Sequence, residues 1–345
     1  MYAGLDERGA QVLRHVVENY IETAEPVGSR TISKKMGQNL SPATIRNIMA
    51  DLEDMGYLAQ PHTSAGRVPT GTGFRYYVDY LLELRKLARP ERDQLQKMAG
   101  DAAFSSEELL RQVSRLVSTL SGQACVVVLT RLSSQPLRSL SLVPAGSGRI
   151  LLVAVTQAGW VEHRLIEGEG GLSGDEMQKI NNYLGELASG ISLQQLRVKI
   201  LHEMKREKAR YDRLMRRALQ MGARALEEGS PTEVYVEGRA NILEQPEFAE
   251  DVQKLKRILR AFEEKSVIVR LLDRALEDGA IQVSIGSENP VEGLPDISVV
   301  ASGYRQGDSR VGSIGLIGPV RMDYSRVIPL VEYSAKLISS VLGHR

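Results

Sequence analysis

The stretch LSPATIRNIMADLEDMGYLAQPHTSAGRVPT, residues 40–70, holds one helix with its start and stop signals, followed by a loop rich in chain breakers. Ser41 is placed to cap the helix, because its side-chain oxygen can accept from an N–H that the first turn leaves unpaired. Pro42 at the first helical position loses nothing by lacking an N–H. Ile45, Ile48, Met49 and Leu52 recur at helical spacing and mark one buried stripe. Gly56 closes the helix, since glycine takes the left-handed conformation of a helix end at no steric cost. The opposite face begins with Ala43, Thr44, Arg46 and Asn47, and acids start only at Asp51. Beyond it, "YLAQ" and "RVP" read as two short strands around "PHTSAG". Pro61 and Pro69 stiffen the base of that loop and Gly66 permits its turn.

Upstream, Leu13, Val16, Val17, Tyr20 and Ile21 predict a first helix with one buried face, broken at Pro26 and Gly28. Ser29 then serves as N-cap of a short second helix, "SRTISKKM", with Ile32 and Met36 inward and Gly37 as its end. Three helices, the last two joined by "GQNLS", followed by a hairpin, predict a winged helix-turn-helix. The charge pattern agrees. Residues 26–50 carry Arg30, Lys34, Lys35 and Arg46 without an acid, and residues 55–78 carry Arg67 and Arg75 without one. An acid-free surface suits a polyanion, whereas a solvated protein surface mixes both signs. Double-stranded DNA is the expected partner. Arg46 and Asn47 suit base edges, while Arg30, Thr31, Lys34, Lys35, Ser41 and Thr44 line the same side. His62, Thr63, Ser64 and Arg67 belong to the wing, for phosphate or minor-groove contact. A structural or protein-binding tri-helical module is the alternative.

The whole chain narrows the choice. It has 345 residues, a net charge of +1, one cysteine and five scattered histidines. A disulfide framework and a cysteine-rich metal site are excluded. The polar N-terminus and the lack of an apolar run near the ~20 residues that span a bilayer imply a soluble, cytoplasmic protein with no membrane partner. Walker, G-x-G-x-x-G and G-x-S-x-G motifs are missing, and Cys125 lies in the apolar run "ACVVVL". No catalytic residue, cofactor or metal site is expected.

Several stretches resemble one family. "EPVGSRTISKK", the stretch from Leu40 to Thr70, "FRYYVDYLL", "RILRAFEEKSVIVRLLD" and "GSIGLIGPVRMDYSRVIPLVEYSAKLIS" are similar to HrcA, the bacterial heat-inducible transcription repressors, over nearly the full chain. Gly71 departs from the family, which more often has Asp there. The resemblance implies a GAF-like domain with an inserted dimerisation unit. It implies a homodimer on an inverted-repeat (CIRCE-type) operator ahead of chaperonin and Hsp70-type chaperone operons, nucleoid-associated when bound. It also implies the GroEL chaperonin as the partner that keeps the repressor active until heat shock.

The pattern of the remaining chain predicts an α+β class. A helix runs from Phe74 to Leu87, and a second helical stretch follows Pro90 to about Leu120. Four strand candidates follow from Cys125, then "SGDEMQKINNYLGELASG" as a helix and a long helical interval. "IQVSIGS", "ISVVASGYR" and "VGSIGLIGP" resume the strands, and Tyr324–Leu342 closes the chain. Strands on both sides of a helical interval predict one antiparallel sheet interrupted by a second unit. The expected limits are a winged helix over 1–89, a helical linker over 90–120, a GAF-like domain over 121–194 and 276–345, and the insertion over 195–275. Residues 197–224 carry ten bases and three acids; a solvated or interface helix, a second DNA surface and a membrane-surface helix all fit that pattern. Two other functions stay open from the residues: a metabolite-responsive winged-helix regulator with a ligand in its GAF-like domain, and an enzyme with a helical appendage.

Overall fold

The computed structural model describes residues 4–37, 40–62, 65–99, 106–129, 136–146, 148–157, 161–167, 173–206, 218–223, 233–249, 251–278, 280–291, 293–307 and 309–343. The chain packs as two compact units. The first comprises Met1–Val128, Val234–Tyr304 and Ser313–Val341; the second comprises Leu129–Glu233, Arg305–Gly312 and Leu342–Arg345.

The first unit opens with α1 (Glu7–Thr23), α2 (Ser29–Lys35) and α3 (Pro42–Asp54), then a hairpin of β1 (Leu58–Ala59) and β2 (Val68–Pro69). The apolar stripes meet as their spacing requires. Val12, Leu13, Val16 and Val17 of α1, Ile32 of α2, and Ile45 and Leu52 of α3 are all fully buried, each stabilising the module by about 1.5–3 kcal/mol relative to exposure. Ser41 caps α3, its Oγ accepting from the Thr44 N–H at 3.1 Å, and Gly56 follows the helix at φ +79°. Helix α2 departs from the expected cap. Gly28 is its N-cap, with no side-chain bond, and Ser29 is already helical. The cause lies next door, where the backbone of Val27 pairs with that of Arg67 in an antiparallel bridge and holds Gly28 extended.

Helix α4 (Gly71–Tyr76) leaves the hairpin. Thr70 supplies its cap, accepting from the Gly73 N–H at 3.1 Å while donating to the Gly56 carbonyl at 2.6 Å. The presence of Gly71 therefore leaves this helix capped. The helix expected to reach Leu87 passes into a π-helical turn over Tyr77–Leu81 and stops, with Leu82 extended. Beyond it the Arg85 N–H donates to the Ser325 carbonyl at 3.0 Å, so this backbone is held by the far end of the chain and not by a continued helix. Helices α5 (Arg89–Ala99) and α6 (Ser106–Ser121) then lead to β3 (Ala124–Leu129).

In the second unit, β4 (Leu137–Pro144), β5 (Arg149–Thr156) and β6 (Val161–Glu167) form an antiparallel sheet of their own. Its inner residues, among them Leu140, Leu142, Ile150 and Leu152, share a core with Met177, Ile180 and Leu184 of α7 (Gly174–Ala188) and with Leu196 and Ile200 of α8 (Leu193–Arg206). A capping box starts α7, with Ser173 and Glu176 exchanging bonds.

The chain then returns through β7 (Glu233–Glu237), α9 (Arg239–Leu243), α10 (Pro246–Ala249), α11 (Val252–Glu263) and α12 (Lys265–Asp278). It continues into β8 (Gln282–Ile285), β9 (Ile297–Gln306), β10 (Ser309–Pro319) and α13 (Tyr324–Gly343). The five-stranded sheet has the order β7-β3-β10-β9-β8. Ile258 and Phe262 of α11 and Ile268, Leu271 and Leu272 of α12 share its core with Val126, Val128, Val299 and Ile317.

These contacts redraw the expected layout inside an α+β chain. The strands of residues 137–167 pair among themselves, whereas the pattern predicts one sheet containing them and β3. Helices 252–278 pack on the five-stranded sheet, although the insertion was expected to run to 275. The physical distinction is burial. All six residues of β3 are buried, as in a strand covered on both faces, while β5 alternates and has one covered face. "EVYVEG", which the pattern does not place, supplies the edge strand β7.

Candidate nucleic-acid interface

The leading turns of α3 hold their residues as the sequence predicts. Ser41, Thr44, Arg46 and Asn47 are exposed, and Ile45 between them is buried. The Ser41 and Thr44 hydroxyls lie 2.9 Å apart and share a hydrogen bond, so Ser41 both caps the helix and orients Thr44. Arg30, Thr31 and Lys34 are exposed on α2. Arg30 and Arg46, together with Gly66 and Arg67, line a cleft of about 280 Å3 between the start of α2, the middle of α3 and the hairpin base.

Two of the expected bases have partners that the linear charge windows do not contain. Lys35 Nζ meets Glu22 of α1 at 2.8 Å, and Arg67 Nη2 meets Glu53 of α3 at 2.8 Å. The first pair is well exposed and weak. The second is tighter, with 19% of the Arg67 side chain exposed and its Nε buried without a hydrogen-bond partner among the described residues. Arg67 therefore braces the hairpin against α3. Arg30, Lys34 and Arg46 make no ion pair among the described residues, so their charge is available for a polyanion.

The loop is held by groups that motif spacing does not single out. Gln60 Nε2 donates to the Ala65 carbonyl at 3.0 Å, and the Ala65 N–H donates to the His62 carbonyl at 2.9 Å. His62 is exposed at the turn; Thr63 and Ser64 lie outside the described residues. Gly66 matters for a different reason from the one its position suggests. Its φ is not positive; instead a Cβ there would stand 2.4 Å from the Val27 carbonyl oxygen. Glycine is needed for close backbone approach. The central part of the basic stretch 197–224 also lies outside the described residues.

Among the described residues, no group of three His, Cys, Asp or Glu side chains could hold a metal ion. Burial pushes the Cys125 thiol well above its ordinary range, which keeps it protonated and inert. No described helix is long and apolar enough to cross a membrane.

Comparison with known proteins follows the same line. The family model "HrcA protein C terminal domain" matches residues 107–328. The heat-inducible transcription repressor HrcA of Geobacter sulfurreducens is 44% identical over 338 residues, 98% of each chain. That of Syntrophobacter fumaroxidans is 44% identical over 340 residues, covering 98% of this chain and 97% of the relative. That of Carboxydothermus hydrogenoformans is 36% identical over 341 residues, 99% of each. A crystal structure described as a hypothetical protein at 2.2 Å resolution is similar with a TM-score of 0.60 and 22% identity over 99% of both chains, a likeness of fold. The chain belongs to the HrcA family of heat-inducible transcription repressors, and its role is regulatory repression and not catalysis.

Proposed function

We propose that the protein is a cytoplasmic, sequence-specific DNA-binding repressor that acts as a homodimer on an inverted-repeat operator of heat-shock chaperone genes. In this reading α1–α3 and the β1–β2 hairpin form a winged helix-turn-helix with α3 in the major groove. The observation that carries it is the exposed leading face of α3. Thr44, Arg46 and Asn47 stand outward, no acid occurs in the first two turns, and Arg46 has no ion pair among the described residues. Arg46 and Asn47 read base edges, Arg30, Thr31 and Lys34 meet phosphates, and Lys35 adds a partly neutralised charge. The wing offers His62, Thr63 and Ser64, with Arg67 bracing its base.

One winged helix makes few phosphate contacts, so two copies on a two-fold operator supply both affinity and palindrome recognition. The five-stranded sheet with its helices is the GAF-like domain of this reading, and the part of the second compact unit between β3 and β7, with the three-stranded sheet, is the inserted dimerisation unit. Family membership supports the heat-shock setting and GroEL as the chaperonin that maintains the active repressor. A titration of an inverted-repeat duplex with and without GroEL tests that part. GroEL should raise the fraction of protein able to bind, and unfolded competitor protein should reverse the gain; an active fraction indifferent to both would remove GroEL from the mechanism.

Ser41 separates folding from binding. Aspartate also caps helices, so Ser41→Asp should leave stability within about 0.5 kcal/mol of the parent. The added negative charge at the groove-facing end of α3 should cost roughly tenfold in operator affinity. Unchanged affinity would place this end of α3 away from the phosphates.

A further inference from the structure

The three-helix module and most of the five-stranded sheet, β8 included, belong to one compact unit, and two arginines join them. Arg75 of α4 donates from Nε to Glu288 Oε1 at 2.9 Å and from Nη2 to the other oxygen of the same carboxylate. It also reaches the Val283 carbonyl at 2.6 Å and Asp79 at 3.2 Å. Its side chain is 13% exposed. Glu288 is itself held, since it accepts from the Ile285 N–H at 2.9 Å at the end of β8. This is a two-pronged, charge-assisted contact whose planar geometry an ammonium group cannot reproduce.

Arg321, just before α13, makes the second junction. It bonds to Glu247, to Gln245 Oε1 at 3.2 Å and to the carbonyl of Ile21 at 3.1 Å. Ile21 lies in the last turn of α1, which carries no basic residue of its own. Carbonyls there lack intrahelical donors and favour a nearby cation, so Arg321 satisfies the end of a helix some 300 positions away. Between the two junctions the Phe74 ring lies 6.3 Å from Tyr20 and 6.3 Å from Tyr324. Contacts at two separated points, with an aromatic contact between them, oppose rotation as well as separation.

We propose that Arg75 and Arg321 are positioning residues that clamp the operator-reading module to the sheet, so that the dimer selects the spacing of its half-sites as well as their sequence. The inference rests on the DNA-binding reading above. Its physical basis is effective concentration. A head held on the sheet sweeps a narrower range of positions than a loosely joined one, so a dimer of clamped heads favours one half-site separation, whereas loosely joined heads accept many separations at a lower peak affinity.

The test uses the full-length parent, the Arg75→Lys/Arg321→Lys double variant and Glu288→Gln. Each binds duplexes carrying one half-site, and inverted repeats whose central spacer is changed by about 1 to 5 bp, up to half a helical turn. The operator is taken by selection from randomised duplexes with the parent protein. All proteins should bind the single half-site within about twofold of one another. The parent should lose about 100-fold when the spacer changes by half a turn, while the double variant should lose less than about threefold from a peak reduced about tenfold. Glu288→Gln should lie between them. A double variant that keeps the parent's spacing profile overturns the clamp. So does one whose half-site affinity falls as far as its full-site affinity, because that marks general structural support. A parent with no preference for inverted repeats removes the DNA-binding reading, and the clamp with it.

Discussion

Replacing Gly66 with alanine should open the base of the hairpin. The new Cβ would lie 2.4 Å from the Val27 oxygen, 2.5 Å from its carbonyl carbon and 2.8 Å from its nitrogen. All three are backbone atoms and cannot swing aside as a side chain would. The segment ahead of α2 and the hairpin are tied there by Val27 N–H to Arg67 O at 2.8 Å and Arg67 N–H to Val27 O at 2.9 Å, so relief of the clash breaks both bonds. Overpacking and the two lost bonds together should cost about 2–4 kcal/mol. The two-unit chain need not unfold in one step, so the measurement is amide exchange. Protection at Val27 and Arg67 should fall roughly 30-fold or more. Gly71→Ala is the control: a Cβ there meets nothing within 4 Å, and alanine in the first turn of α4 should be neutral or mildly stabilising. Parent-like protection in Gly66→Ala would mean that the Val27–Arg67 bridge does not hold the hairpin.

Removal of Arg46 or Asn47 should act on recognition and leave the fold alone. Both side chains are exposed on α3, where substitutions change stability by no more than about 0.5 kcal/mol. A guanidinium or carboxamide placed on a base edge discriminates by about 1–3 kcal/mol. Arg46→Ala and Asn47→Ala should therefore each weaken operator binding by roughly 5- to 150-fold and relax the preference at one base position per half-site. Lys34→Ala should instead weaken all sequences alike and reduce the salt slope by about one. The measurement is competition binding against single-base operator variants. Equal losses on every sequence for Arg46→Ala and Asn47→Ala would assign both residues to phosphates.

Local signals made much of the N-terminal module legible. Ser41, Pro42 and Gly56 delimit α3 because caps and left-handed ends are decided within a few residues. The charge windows were a weaker guide, since they are one-dimensional. Glu22 and Glu53 lie outside them in the sequence and yet meet Lys35 and Arg67 in space. The Val27–Arg67 bridge has no sequence signature either, because it joins segments 40 positions apart through backbone atoms alone. Farther along, the uninterrupted apolar run of β3 and the alternation in β5 do distinguish a two-sided strand from a one-sided one. Strand identity was thus readable where sheet membership was not, because pairing depends on distant partners. The end of the helical run at Leu81 has the same origin, with Arg85 held by Ser325.

Equilibrium binding of the full-length protein to three duplexes tests the central claim most directly: the inverted repeat, a single half-site and a scrambled sequence, from about 50 to 200 mM salt. A dimeric winged-helix repressor should bind the inverted repeat about 1,000-fold or more tighter than the scrambled duplex, with the half-site in between and affinity falling steeply as salt rises. Equal affinity for all three duplexes, or binding that does not respond to salt, would contradict it.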